Sequence, residues 1–108
     1  MNRQIKVVFA DIKLEKEFSS LEDNNFIKKS LKKAITEIKY NVFCGIPIPK
    51  YLIPKEYKKK YLIKNLWKYN LPNGWRLLYT ITADNEIEII AAILEWLPHK
   101  GYEKRFKY

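Results

Sequence analysis

The sequence predicts an α+β domain of order β-α-α-β-β-β, a helical hairpin packed on a twisted, mainly antiparallel four-stranded sheet. Three observations predict it. A β-branched, apolar run, QIKVVFA, occupies residues 4–10. Two stretches of helical period follow, and beyond residue 65 the apolar period changes from near 3.6 to two, with a turn signal between successive runs. Helices followed by a meander of strands give an α+β layer rather than alternating βαβ units.

The elements follow in order. Residues 4–10 form the first strand, apolar enough for a covered position in a sheet. Asp11 then caps a short helix whose Leu14, Phe18 and Leu21 lie at i, i+4 and i+7. The break Glu22-Asp23-Asn24-Asn25 supplies caps for a second helix over residues 25–40. Its Ile27, Leu31, Ala34, Ile35 and Ile38 make one stripe, and Lys28, Lys29, Lys32, Lys33 and Lys39 fill the rest. Residues 43–54 contain Gly45, Pro47, Pro49 and Pro54 and predict no regular element. Pro54 can start one helical turn through Lys58. Residues 65–71 and 75–82 then form a hairpin about Pro72-Asn73-Gly74. Ala83-Asp84-Asn85-Glu86 makes the next turn, residues 87–97 the last strand, and 99–108 a basic, partly helical tail.

At 108 residues the chain predicts one domain over 1–108, long enough for a real core. Its 47% hydrophobic and 15% aromatic content argues against disorder. The longest apolar run, residues 89–94, is far too short to span a bilayer, and no leader-like segment opens the chain. The single cysteine, Cys44, has no internal partner and agrees with a reducing compartment, so the expected localisation is cytoplasmic, with no membrane partner. Net charge is +9, and all of the excess lies beyond residue 27, which suggests a polyanionic partner. A lysine-rich solvated surface accounts for the same charge.

Arginine is rare, occurring at Arg3, Arg76 and Arg105. Alternation puts Trp75, Leu77, Tyr79 and Ile81 on the helix-covered face, and Arg76, Leu78, Thr80 and Thr82 on an opposite, open face. Lys68 on the preceding strand comes within reach of Arg76. A guanidinium fixed on a strand can hold a phosphate bidentately; stacking on Trp67 or Tyr69 is the alternative use for it. Trp67, Tyr69, Trp75, Tyr79 and Trp96 are candidates for stacking bases, with Trp75 and Tyr79 assigned to the core. Tyr51, Tyr57 and Tyr61 could stack on RNA, while Tyr57 and Tyr61, at i and i+4, could equally pin their turn to the sheet.

GWRLLYTI after a lysine-bearing strand and a Pro-Asn-Gly turn, with a last strand running into HKGYEKRF, resembles the RelE/ParE toxin superfamily, closest to its RelE-type branch. The resemblance covers essentially the whole chain. It implies a toxin of a type II toxin–antitoxin module, a small basic ribonuclease that acts on mRNA in the ribosomal A site, contacts rRNA and is blocked by a cognate RelB-like antitoxin. Arg76 then matches the arginine that contacts the scissile phosphate, and Lys68 a basic residue on the preceding strand. The family's second basic residue there falls on Asn70, a departure. His99 and Lys100 match a basic or histidine position, and Tyr102 an aromatic hydroxyl near the cut. On this reading Arg76, His99 and Tyr102 are catalytic, and Lys68, Lys64, Lys100 and Arg105 bind substrate.

One histidine and one cysteine exclude a two-histidine ribonuclease and a Cys/His metal cluster. Sparse acids near the groove, Glu95 and Glu103, argue against a two-metal carboxylate nuclease. The remaining chemistry is transesterification by the RNA's own 2′-hydroxyl, with no metal and no cofactor. Arg76 and Lys68 would stabilise charge on the phosphate, and His99, ahead of Tyr102, would transfer protons. A non-catalytic or gyrase-inhibiting member of the same fold, or a basic RNA-binding module, is the alternative.

Overall fold

The computed structural model describes residues 4–83 and 88–106. The class is α+β, with helices on both faces of a five-stranded mixed sheet. Strand β1 (Gln4–Phe9) leads into helix α1 (Ile12–Ser20), where Asp11 accepts the Leu14 amide at 2.8 Å. Helix α2 (Phe26–Tyr40) is capped by Asn25, whose side chain accepts from the Ile27 and Lys28 amides. Lys28, assigned from its position to the solvated side of α2, is instead buried. Its ammonium donates to the Leu21 carbonyl and pairs with Asp23, which ties the two helices together.

The expected four-stranded sheet is corrected to five strands. Gly45 approaches the sheet so closely that a Cβ there would lie 2.6 Å from the Tyr79 hydroxyl and 2.8 Å from the Lys68 carbonyl. That approach lets β2 (Ile46–Pro47) pair with β3 (Trp67–Asn70). Pro47 and Pro49 lack N–H groups, so the added strand stops after two residues. Helix α3 (Lys55–Tyr61) extends the turn expected after Pro54. Strands β4 (Arg76–Ala83) and β5 (Glu88–Leu97) complete the meander, and α4 (His99–Phe106) follows Pro98. The turn expected after Ala83 lies outside the described residues, as do Arg3 and the last two residues. The strand order is β1-β5-β4-β3-β2; only the β1–β5 pair is parallel.

The alternation read along β4 holds on its helix-covered side. Leu77 and Tyr79 are fully buried with Leu31, Ala34 and Ile38 of α2 and with Ala91 and Ile93 of β5. Each such aliphatic side chain removed from water contributes about 1.5–3 kcal/mol before entropy is counted. The face expected to be open is not. Leu78 and Leu94 are buried there beneath Ile53, Tyr57, Leu66, Tyr102 and Phe106, so α3 and α4 roof a second core. The β4–β5 register carries a bulge between Leu78 and Tyr79. Strict alternation would put Ile93 and Trp96 on opposite faces. The extra residue, Leu94, resets the phase so that both contribute to the first core.

Candidate functional site

Arg76 opens β4 and is paired with Asn70 on β3 and Leu97 on β5. Lys68 lies opposite Leu78, two residues along from Arg76, so both cations rise from one face of the sheet. Tyr102 touches both of them. Its side chain is locked into the second core, only 3% exposed, with its ring stacked on Phe106 at 4.5 Å. The Arg76 guanidinium carbon and the Lys68 ammonium each lie 5.4 Å from the centre of that ring. Lys68 also donates to the Tyr102 hydroxyl at 3.3 Å. The electron-rich Tyr102 ring therefore offsets part of the repulsion between two cations held near one another.

Neither cation has a carboxylate partner among the described residues. Arg76 donates from Nη1 to its neighbour's carbonyl, Trp75, at 3.2 Å, and its buried Nε, like that of Arg105, meets no acceptor; unlike Arg105, it has no carboxylate on its other nitrogens among the described residues. A buried guanidinium N–H without a partner is costly and is relieved by an anion that accepts from it. This is the arrangement that can hold a phosphate.

His99 reaches the same end of the molecule. It follows Leu97, the β5 partner of Arg76, by two residues, and its Cβ packs against Gly74 of the β3–β4 turn. Gly74 has φ of +80°, and any side chain there would meet His99 at about van der Waals distance or closer. The imidazole is 59% exposed and bonds from Nε2 to Glu103, one turn along α4. Lys100 is exposed beside it. Arg76 and Lys68 thus both contact Tyr102, and His99 and Lys100 stand at the same end of the molecule.

Two residues expected at the site stand elsewhere. Lys64 precedes Asn65, which bonds to the backbone of Ile81, five residues further along β4 from Arg76. At strand rise that is about 17 Å away. Arg105 donates to Glu95 at 2.8 Å, lies 4.0 Å from Glu56 and sits over the Tyr57 ring. Burial works most strongly against its charge, but the bond to Glu95 and the charges of Glu95, Tyr57 and Glu56 together outweigh it and hold the guanidinium above the ordinary arginine value. The Tyr57 hydroxyl donates to the other oxygen of Glu95, and burial first, then this bond, keep the phenol well above the usual tyrosine range.

Sequence reasoning missed this Tyr57–Glu95–Arg105 network. The spacing of Glu95 and Arg105 carries no helical or strand period, and the bulge that turns Glu95 toward α4 has no signature in the residue pattern. The network walls a cleft of about 270 Å³ that also includes Asp11, Lys60 and Tyr61. There the Tyr61 hydroxyl donates to Asp11 at 2.9 Å and Lys60 pairs with the same carboxylate. In that cleft Asp11 pairs with Lys60, and Glu95 and Glu56 pair with Arg105, whereas Arg76 and Lys68 have no carboxylate partner among the described residues.

Among the described residues no three His, Cys, Asp or Glu side chains are grouped to hold a metal ion, and no helix is long and apolar enough to cross a membrane. Comparison with protein-family models, with curated proteins and with solved structures gives no match to this chain.

Proposed function

We propose that the chain is a cytoplasmic ribosome-dependent endoribonuclease, the RelE-type toxin of a type II toxin–antitoxin module, cleaving mRNA in the ribosomal A site by metal-free transesterification. The observation that carries the proposal is the pair of cations, Arg76 and Lys68, set 5.4 Å from one buried tyrosine ring without a carboxylate partner among the described residues. In the reaction the substrate's 2′-oxygen attacks the adjacent phosphorus and loses its proton. The P–O5′ bond breaks, and the departing oxygen takes up a proton. The products are a 2′,3′-cyclic phosphate and a 5′-hydroxyl.

Arg76 and Lys68 supply positive charge where the phosphorane gathers negative charge, the effect that usually contributes most to such catalysis. His99, exposed at the margin, is the proton-transfer group, since an imidazole ring can both accept and donate a proton. Tyr102 is too deeply buried to meet the leaving oxygen in this conformation. Its ring lies against both cations, and its hydroxyl bonds to Lys68. Lys100 contributes a backbone contact to mRNA or rRNA, and a RelB-like antitoxin would neutralise the cation pair with acidic side chains.

A second reading, a non-catalytic RNA-binding member of the fold, has two observations in its favour. Asn70 stands opposite Arg76 where the resembling family carries a second basic residue, and Glu103 occupies the histidine's Nε2. Induced expression in a bacterial host decides between the two. The nuclease reading expects growth arrest and cuts at A-site codons by primer extension, both lost in Arg76→Ala. Arrest that persists in Arg76→Ala, or intact mRNA during arrest, would overturn it.

A further inference from the structure

The two edges of the sheet are finished differently. On one side β2 is two residues long, and Pro47 and Pro49 offer no N–H to a further strand. On the other, β1 runs for six residues in unbroken parallel register with β5, without a proline or a bulge. Edges of that length are usually blunted, because an open row of N–H and C=O groups recruits another strand. Lys6 is the only charged residue in β1.

One bond tells which residues of β1 face outward. The Ala10 amide donates to the Ile93 carbonyl at 2.8 Å. Successive residues of a strand turn their main-chain groups alternately to its two sides. Val8 and Lys6, in step with Ala10, therefore bond to β5, while Ile5, Val7 and Phe9 aim their N–H and C=O groups away from it. Among the described residues no strand receives them. The side chains of the same three residues lie half-buried against the first core, on the α2-covered face. Lys6 and Val8 lie on the other face.

We propose that β1 is a self-association edge, along which two copies of this chain pair their β1 strands antiparallel about a two-fold axis through Val7. Two five-stranded sheets then become one. The strand itself sets the register, since a two-fold axis perpendicular to the sheet keeps every side chain on its own face. With Val7 at the axis, Val7 meets Val7, and Ile5 meets Phe9 of the second copy. Each of these outward residues gains its main-chain bonds, and their side chains add apolar cross-strand contacts. On the other face Lys6 lies opposite Val8 of the second copy, so like charges do not meet. Centring on Lys6 would oppose the two lysines, and centring on Ile5 or Val8 would leave fewer outward residues matched. Any extended peptide can bond to the open backbone; a second copy also matches the side chains on both faces. Arg76 and Lys68 stand on β4 and β3, with β5 between them and the seam, so the pairing does not involve them.

The seam is short and the net charge is +9, so the dimer is a weak one, with a dissociation constant between about 1 µM and 1 mM in screening salt. Sedimentation equilibrium of the full chain across that range, in about 0.3 M salt, should show monomer and dimer in exchange. Amide exchange followed by NMR should slow at Ile5, Val7 and Phe9 as concentration rises, while Lys6 and Val8 stay protected throughout. Val7→Pro removes an outward amide and no bond to β5, and should weaken the dimer by about tenfold or more. The register has its own test. Val8→Glu, set against Lys6 of the second copy at two symmetric places, should tighten the dimer by about threefold or more, and Val8→Lys should weaken it as much. Circular dichroism checks the fold of each variant, and the exchange experiment needs only the wild type. A chain that stays monomeric at about 1 mM overturns the proposal. So does a dimer that is indifferent to Val7→Pro, or one whose Ile5, Val7 and Phe9 amides exchange alike at every concentration. A dimer that responds equally to Val8→Glu and Val8→Lys overturns the register centred on Val7.

Discussion

Arg76 and Arg105 are the same residue type put to opposite uses, and the difference lies in their neighbours. Arg105 faces Glu95 and Glu56, while Arg76 faces a tyrosine ring, a carbonyl and another cation. Arg105→Ala should therefore act on stability. Removing it leaves Glu95, a mostly covered carboxylate, with the Tyr57 hydroxyl but without its charged partner. Stranding a partly buried charge of this kind costs about 1–3 kcal/mol. In a domain of this size that corresponds to a fall in melting temperature of about 4 °C or more. Thermal unfolding measures it, and cleavage assayed well below the transition should be little changed. If Arg105→Ala melts like the wild type yet loses RNA affinity, the guanidinium is a substrate contact after all.

At the scale of elements, the edge strand β2 is governed by one missing side chain. Gly45→Ala would place a methyl group 2.6 Å from the Tyr79 hydroxyl and 2.8 Å from the Lys68 carbonyl, and neither neighbour is a flexible chain end. The loop must lift, giving up the bond from Gly45 to Tyr79 and the short β2 pairing. A destabilisation of about 1–3 kcal/mol is expected from overpacking of this sort, read as a lower urea midpoint with an unchanged slope. An unaltered midpoint would mean that the loop is not pinned as described. The same element shows what sequence could and could not convey. The hairpin, both long helices and the side of the sheet on which Leu77 and Tyr79 lie were legible because each depends on a local period. Residues 43–54 were not, because three prolines and a glycine describe a loop unless the partner surface is known. The roof over the second face was half legible. Tyr57/Tyr61 and Tyr102/Phe106 are i, i+4 pairs, but short amphipathic segments amid lysines announce a helix without saying what it covers.

For the whole molecule, net charge and buried phenols pull in opposite directions at alkaline pH. With a net charge of +9, the domain is relieved of self-repulsion as its exposed lysines lose their protons. That relief is spread over solvated side chains and screened beyond about 8 Å at physiological salt. The tyrosines work locally and the other way. Burial is the main cause that pushes the Tyr79 phenol up to about 12. Burial, followed by a carboxylate bond, also raises Tyr57 through Glu95 and Tyr69 through Glu37. A phenol whose folded pKa exceeds its unfolded value stabilises the fold fully below the unfolded value, near 10, and that contribution disappears as pH rises through the folded value. Unfolding free energy should therefore be nearly level in this respect from pH 7 to 9 and fall between about pH 10 and 12. Tyr79→Phe should flatten the fall, although it lowers the starting stability by losing the bonds to Val42 and Gly45. Urea titrations at intervals from pH 8 to 11.5 measure the slope directly. A free energy that stays level, or rises, across that window would show that lysine discharge outweighs the buried phenols and that these side chains ionise without disturbing the core.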